Sequence, residues 1–78
     1  MNSYIMDQPA RYQIRVTGRL KDNWMNYFED IAVTTEISSS QQVSTTLTGE
    51  FKDQTAIYGA LDKLYLLGLS LLSVEKKS

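Results

Sequence analysis

The sequence predicts an α+β domain: a four-stranded, mostly antiparallel sheet with one face covered by a long helix, in the order strand, short helix, strand, strand, long helix, strand. Three observations carry this prediction. Apolar and polar residues alternate with period two over residues 12–20, 31–37 and 43–51. Apolar residues recur at helical spacing from Ala56 to Leu67. That helical stretch is bracketed by Asp53, a residue type that caps helix starts, and by Gly68, a residue type that ends them.

Residues 1–10 are mixed in character, contain the only proline, and read as a flexible lead-in to a single domain over 11–78. In the first strand Tyr12, Ile14, Val16, Gly18 and Leu20 share one face, with Gln13, Arg15, Thr17 and Arg19 on the other. Asp22 then stands as an N-cap before Trp24, Tyr27 and Phe28, whose i, i+3, i+4 spacing gathers three rings on one side of a helix of one or two turns. The second strand turns Ile31, Val33, Thr35 and Ile37 to one face, and Ser38 to Gln42 form a hairpin connection. The third strand places Val43, Thr45, Leu47, Gly49 and Phe51 inward and Ser44, Thr46, Thr48 and Glu50 outward; β-branched threonine suits a pleated surface that meets water.

The long helix, residues 54–67, gathers Ala56, Ile57, Ala60, Leu61, Leu64 and Leu67 into one apolar face that lids the core. The last strand, residues 69–75, contains Leu71 and Leu72 in succession, so one leucine must leave a single-sided pattern. Two strand connectivities compete. A ferredoxin-like split β-α-β needs a parallel crossover, which takes a dozen or more residues. With the first strand running to Leu20, only residues 21–30 remain, and this favours an antiparallel meander of the first three strands.

Eight Lys or Arg against nine Asp or Glu give a formal charge of −1 at pH 7, which argues against nucleic acid as a partner because counterion release needs a basic excess. The absence of Cys and His excludes thiolate chemistry, Cys/His zinc or haem ligation, disulfides and a Ser-His-Asp triad within one chain. No P-loop, dinucleotide fingerprint, EF-hand or HExxH pattern is present, so no cofactor and no metal are expected. No run approaches the roughly 18 apolar residues of a membrane span, and no cationic-then-apolar leader opens the chain. The expectation is a cytoplasmic protein without membrane contact. A chain of 78 residues buries only roughly 60% of its unfolded surface, leaving a small net stability that self-association would raise.

Four groups of residues are candidates for function. Arg11, Arg15, Arg19 and Lys21 share odd parity and form a cationic stripe on the open face of the sheet, with planar guanidinium donors suited to an anion or an acidic partner. The plainer alternative, and the favoured one, is a solvated face whose arginines pair with Glu36 and Glu50 on neighbouring strands, since no aromatic stacking set accompanies them. Trp24, Tyr27 and Phe28 read as core in preference to a ligand-stacking wall. Tyr58, Tyr65, Leu66 and one of Leu71 and Leu72 fall outside the apolar faces and mark a candidate interface. Asp53 reads as a helix cap in preference to a general base, because no second acid or base accompanies it. Gly18 and Gly49, at inward strand positions, imply close packing or a bulge.

The opening Tyr12-Gln13-Ile14-Arg15-Val16-Thr17-Gly18-Arg19-Leu20, the later Trp24 and Phe28, and Thr46-Leu47-Thr48-Gly49 together form a recognisable set. With them come Asp53-Gln54, Ala56 to Leu61, Leu67-Gly68-Leu69 and Leu71-Leu72-Ser73-Val74. The chain resembles a family of uncharacterised short bacterial proteins with a YxIRVxGxL opening, a TxLTG strand and a DQxALxGLLxKIRxLGLxLLSV ending. The likeness covers most of the chain after residue 11, and it implies no activity, cofactor or partner. Tyr58 stands where that family's pattern often has His, and Asn26-Tyr27 replaces its usual Trp-Phe pair.

The leading functional expectation is a non-enzymatic, self-associating protein-interaction module, a homo-oligomer with a dimer favoured. The alternatives are a regulatory domain that holds a small anion near the arginines, and an oligomeric enzyme whose active site forms from Asp, Tyr and Arg across an interface.

Overall fold

In a computed structural model the described residues are 9–21, 28 and 30–77. Four strands, β1 (Ala10–Thr17), β2 (Ile31–Ile37), β3 (Val43–Phe51) and β4 (Leu71–Lys76), and one long helix, α1 (Gln54–Leu66), follow in the order β1-β2-β3-α1-β4. The strands form one sheet in the order β2-β3-β1-β4 with every neighbouring pair antiparallel. The fold is α+β, with the helix packed on one face of a four-stranded antiparallel sheet. The short first helix expected from Asp22, Trp24 and Tyr27 lies outside the described residues; Phe28 is buried in the core.

The meander does not form. β1 pairs with β3 and β4, and β2 lies beyond β3, parallel to β1. This is the strand order of the split β-α-β alternative. Its physical reason is where β1 stops. Gly18 adopts φ +91, a conformation L side chains rarely take, and turns the chain out of the strand at Thr17. Residues 18–30 are then free for the crossover, which meets the dozen or so residues a parallel connection needs. A Cβ at Gly18 would also lie 2.7 Å from Leu69 Cδ2. Leu20 is fully buried without being in the strand, so the apolar alternation runs on past the point where the strand ends.

Side chains obey the pleat. Ile14, Val16, Leu47, Phe51, Ile57, Ala60 and Leu64 make the buried cluster between sheet and helix, joined by Leu20 and Phe28. Tyr12 and Phe51 meet edge-on, ring centroids 6.2 Å apart. Thr45, fully buried among them, donates its hydroxyl to the Gly18 carbonyl at 2.6 Å, so the break in β1 is tied to the neighbouring strand. At Gly49 the β2 entry passes so close that a Cβ would sit 3.1 Å from the Asp30 carbonyl oxygen and 2.7 Å from Ile31 Cδ1.

The helix is capped at both ends as its bracketing residues predict. Asp53 Oδ1 accepts the Ala56 amide at 2.8 Å. At the other end Gly68 (φ +84) donates its amide to the Tyr65 carbonyl at 2.9 Å and Leu69 donates to Leu64 at 3.1 Å, the paired bonds of a Schellman motif. The β2–β3 hairpin closes through Ser38, whose amide donates to the Gln42 carbonyl and whose Oγ accepts the Gln42 amide. Among the described residues no helix is long and apolar enough to cross a membrane.

Candidate functional site

The candidate surfaces follow from where α1 sits. Ile57, Ala60 and Leu64 point into the core. At about 100° per residue, Tyr58, Leu61 and Tyr65 cluster within roughly 60° of one another on one flank, and Ala56 and Gly59 lie on the other. The second flank borders a broad concavity of about 760 Å³ that includes Phe28, Ile31 and Phe51, near β2 and β3. The tyrosine flank borders a groove of about 470 Å³ that runs from Leu61 and Tyr65 through Leu69 to Leu71. The tyrosine ridge therefore overlooks β4.

β4 is an edge strand whose helix-side face the helix leaves open. Val74, opposite Ile14, and Leu71, opposite Val16, belong to that side, yet Leu71 is 54% and Val74 38% exposed. The leucine doublet is resolved by a register shift: Arg15 faces Ser73 and Val16 faces Leu71, so Leu72 is the extra residue of a β-bulge, itself exposed. On the helix Tyr58 and Tyr65 are exposed, Tyr65 at 75%, and Gln54 Nε2 donates to the Tyr58 hydroxyl at 2.8 Å. Leu66, at 68%, projects to solvent away from the tyrosine ridge and does not share its groove. The structure thus brings Tyr58, Tyr65 and Leu71 to one side of the molecule and separates Leu66 from them. Sequence reasoning missed Val74 as a member of this surface, because its apolar type and strand parity are those of a core residue.

The cationic stripe divides. Arg11 and Arg15 stand on the open face, opposite Glu50 and Thr46 of β3. Arg19 and Lys21 lie beyond the end of β1 and, with Leu20, Leu67 and Leu69, line a small cleft of about 120 Å³ at the C-terminal end of α1. Cations there complement the negative end of the helix dipole. The expected pairing with Glu36 does not occur, since Glu36 sits on β2 opposite Ser44, two strands from β1. Among the described residues Arg11, Arg15 and Arg19 make no ion pair, while Lys77 Nζ lies 3.2 Å from Glu75 Oε1.

The rest of the open face is small and hydroxylated. One row across the sheet reads Thr34, Thr46, Arg15, Ser73; the next reads Ala32, Thr48, Gln13, Glu75. Arg15 therefore lies between two short side chains. Among the described residues no three acidic groups come together in a way that would hold a metal ion.

The profile of a domain of unknown function, DUF8691, matches residues 11–75. The chain belongs to this family. The DUF8691 match begins at the second residue of β1 and ends one residue short of the end of β4, so it takes in all but the two outermost residues of the sheet, the helix and both surfaces described above. No curated protein and no solved structure matches the chain.

Proposed function

We propose that this DUF8691 protein is a small, non-enzymatic interaction module that self-associates, with a dimer as the favoured state. The observation that carries this reading is the set of exposed apolar residues on one side of the molecule, Tyr58 and Tyr65 on α1 and Leu71 and Val74 on β4, with a groove from Leu61 and Tyr65 to Leu71 beside an open sheet edge. Isolated exposed apolar residues are ordinary, but a contiguous set along an unpaired edge invites association unless a partner covers it. A chain with so small a core also gains proportionally from any area it buries against a second copy. Sedimentation velocity of the full chain from 1 to about 200 μM, the range spanning Kd values of common dimers, is the test. A mass that rises toward twice the monomer with concentration is expected; a strict monomer throughout refutes the proposal.

Arg15 favours a second reading, a small-anion site on the open face, because it stands among hydroxyl groups and has no ion pair among the described residues. Phosphate esters at 100 times their Kd would stabilise the fold by about 2.7 kcal/mol. Thermal melts that do not move across such a panel, or that move equally in Arg15→Ser, remove this alternative.

A further inference from the structure

We infer that the partner of the β4 edge is a second copy of this chain, joined by antiparallel β4–β4 pairing about a two-fold axis at Val74 to give one eight-stranded sheet. The inference rests on the self-association proposed above and deepens it by specifying the strand, the register and the residues that hold it.

The edge offers the right backbone groups. Lys77 donates its amide to the Arg11 carbonyl at 2.7 Å. In an antiparallel ladder the inward-bonding residues alternate, so Glu75 also turns toward β1 while Val74 and Lys76 turn their amides and carbonyls outward. With the two-fold at Val74, Val74 meets the partner's Val74 and Lys76 stands opposite the partner's Leu72. A two-fold perpendicular to the sheet keeps each face continuous, so the two apolar surfaces merge on the helix side and the two open faces merge behind it.

Charge chooses the register. With the axis at Val74, Glu75 stands opposite the partner's Ser73, and beyond that serine, on the partner's β1, stands Arg15. Two strand spacings separate the backbones, about 10 Å, and the intervening serine is too short to block the arginine's reach. The symmetry makes two such Arg15–Glu75 pairs, in which Glu75, already 3.2 Å from Lys77 Nζ, also meets an arginine that has no ion pair among the described residues. Centring the axis on Glu75 instead would oppose two carboxylates directly, which is destabilising, and centring it on Ser73 would set Arg15 in a row with two serines and no acid.

On the helix side the same axis places Val74 against Val74 and brings the two Tyr58, Leu61 and Tyr65 ridges to face each other over the paired strands. Together with Leu71 and Leu72 they contribute on the order of 500 Å² of apolar surface per copy at 150–250 Å² for a whole tyrosine side chain. With the edge backbone and the charged rows, the pair approaches the ~1,200 Å² total of a specific interface.

The test is a set of full-length variants in sedimentation velocity. Arg15→Glu alone and Glu75→Arg alone should each weaken the dimer about tenfold, because both attractive pairs become like-charge contacts. An equimolar mixture of the two single variants should restore wild-type affinity, since the heterodimer contains only opposite-charge pairs. Val74→Pro, which removes an outward amide that β1 does not use, should abolish dimerisation while the far-ultraviolet circular dichroism is kept. A dimer that is indifferent to both charge reversals, or a mixture that fails to recover, overturns this register while leaving self-association standing. A wild-type monomer overturns both.

Discussion

The contact most specific to this fold is the Thr45 hydroxyl on the Gly18 carbonyl, and Thr45→Val isolates it. Valine keeps the shape and β propensity of threonine, so the fully buried site is filled as before and only the hydroxyl is lost. The 2.6 Å bond is the carbonyl's hydrogen bond among the described residues, at the point where β1 turns away from the sheet. Leaving this part-buried acceptor without its donor costs about 1–3 kcal/mol, and the added methyl returns up to ~0.8 kcal/mol. The net loss should be about 1–2 kcal/mol, which lowers the Tm by roughly 5–15 °C in a domain of this size. Thermal unfolding followed by circular dichroism, at one fixed protein concentration because association also stabilises, reads this directly. Thr45→Ser is the control, as it keeps the donor and loses only a methyl. A Thr45→Val protein as stable as wild type would refute the reasoning, because it would mean that the Gly18 carbonyl has its needs met by water.

Asp53→Ala should lower stability by about 1 kcal/mol through the lost cap on the Ala56 amide, with a denaturant midpoint shift at unchanged m-value as the measurement. Gly59 and Gly68 have nothing within 4 Å of an added Cβ, yet alanine should act oppositely at the two positions. At Gly59, inside the helix, it should stabilise by about 0.5–1 kcal/mol, and at Gly68, with φ +84, it should destabilise by about 1 kcal/mol; urea titrations of the two variants side by side check the sign.

Much of the fold was legible because local chemistry and local pattern agreed. β2 and β3 alternate cleanly, and Asp53 and Gly68 mark the helix ends by the very bonds they make. The end of β1 was not legible: Gly18 and Leu20 continue an inward parity that the backbone has already abandoned, and Leu20 is buried for reasons unrelated to the strand. That single misplacement shortened the apparent crossover and led to the wrong strand neighbours. At the candidate surface, the exposure of Tyr58, Tyr65 and Leu66 was legible from the helical wheel, and the leucine doublet showed that one leucine leaves the single-sided pattern, though not that a bulge is what accommodates it. The open position of β4 was not, because the angle at which a helix crosses a sheet depends on tertiary packing that no window of sequence contains.

The central place of β1 has a kinetic meaning. Its two sheet neighbours, β3 and β4, both come later in the chain, and β4 comes from its far end, after the helix. The β2–β3 hairpin joins through a short turn and can form early, but β1 must close long loops before either of its ladders rewards the ordering. Refolding should therefore run in milliseconds to seconds, slower than a helical protein of equal length. Mutations in β4 should change the unfolding rate far more than the refolding rate, with stopped-flow chevrons as the measurement; a β4 substitution that mainly slowed refolding would place that strand in the nucleus instead. The strand at the middle of the sheet is thus among the last to be secured, and until it is, its hydrogen-bonding edges are open to other chains.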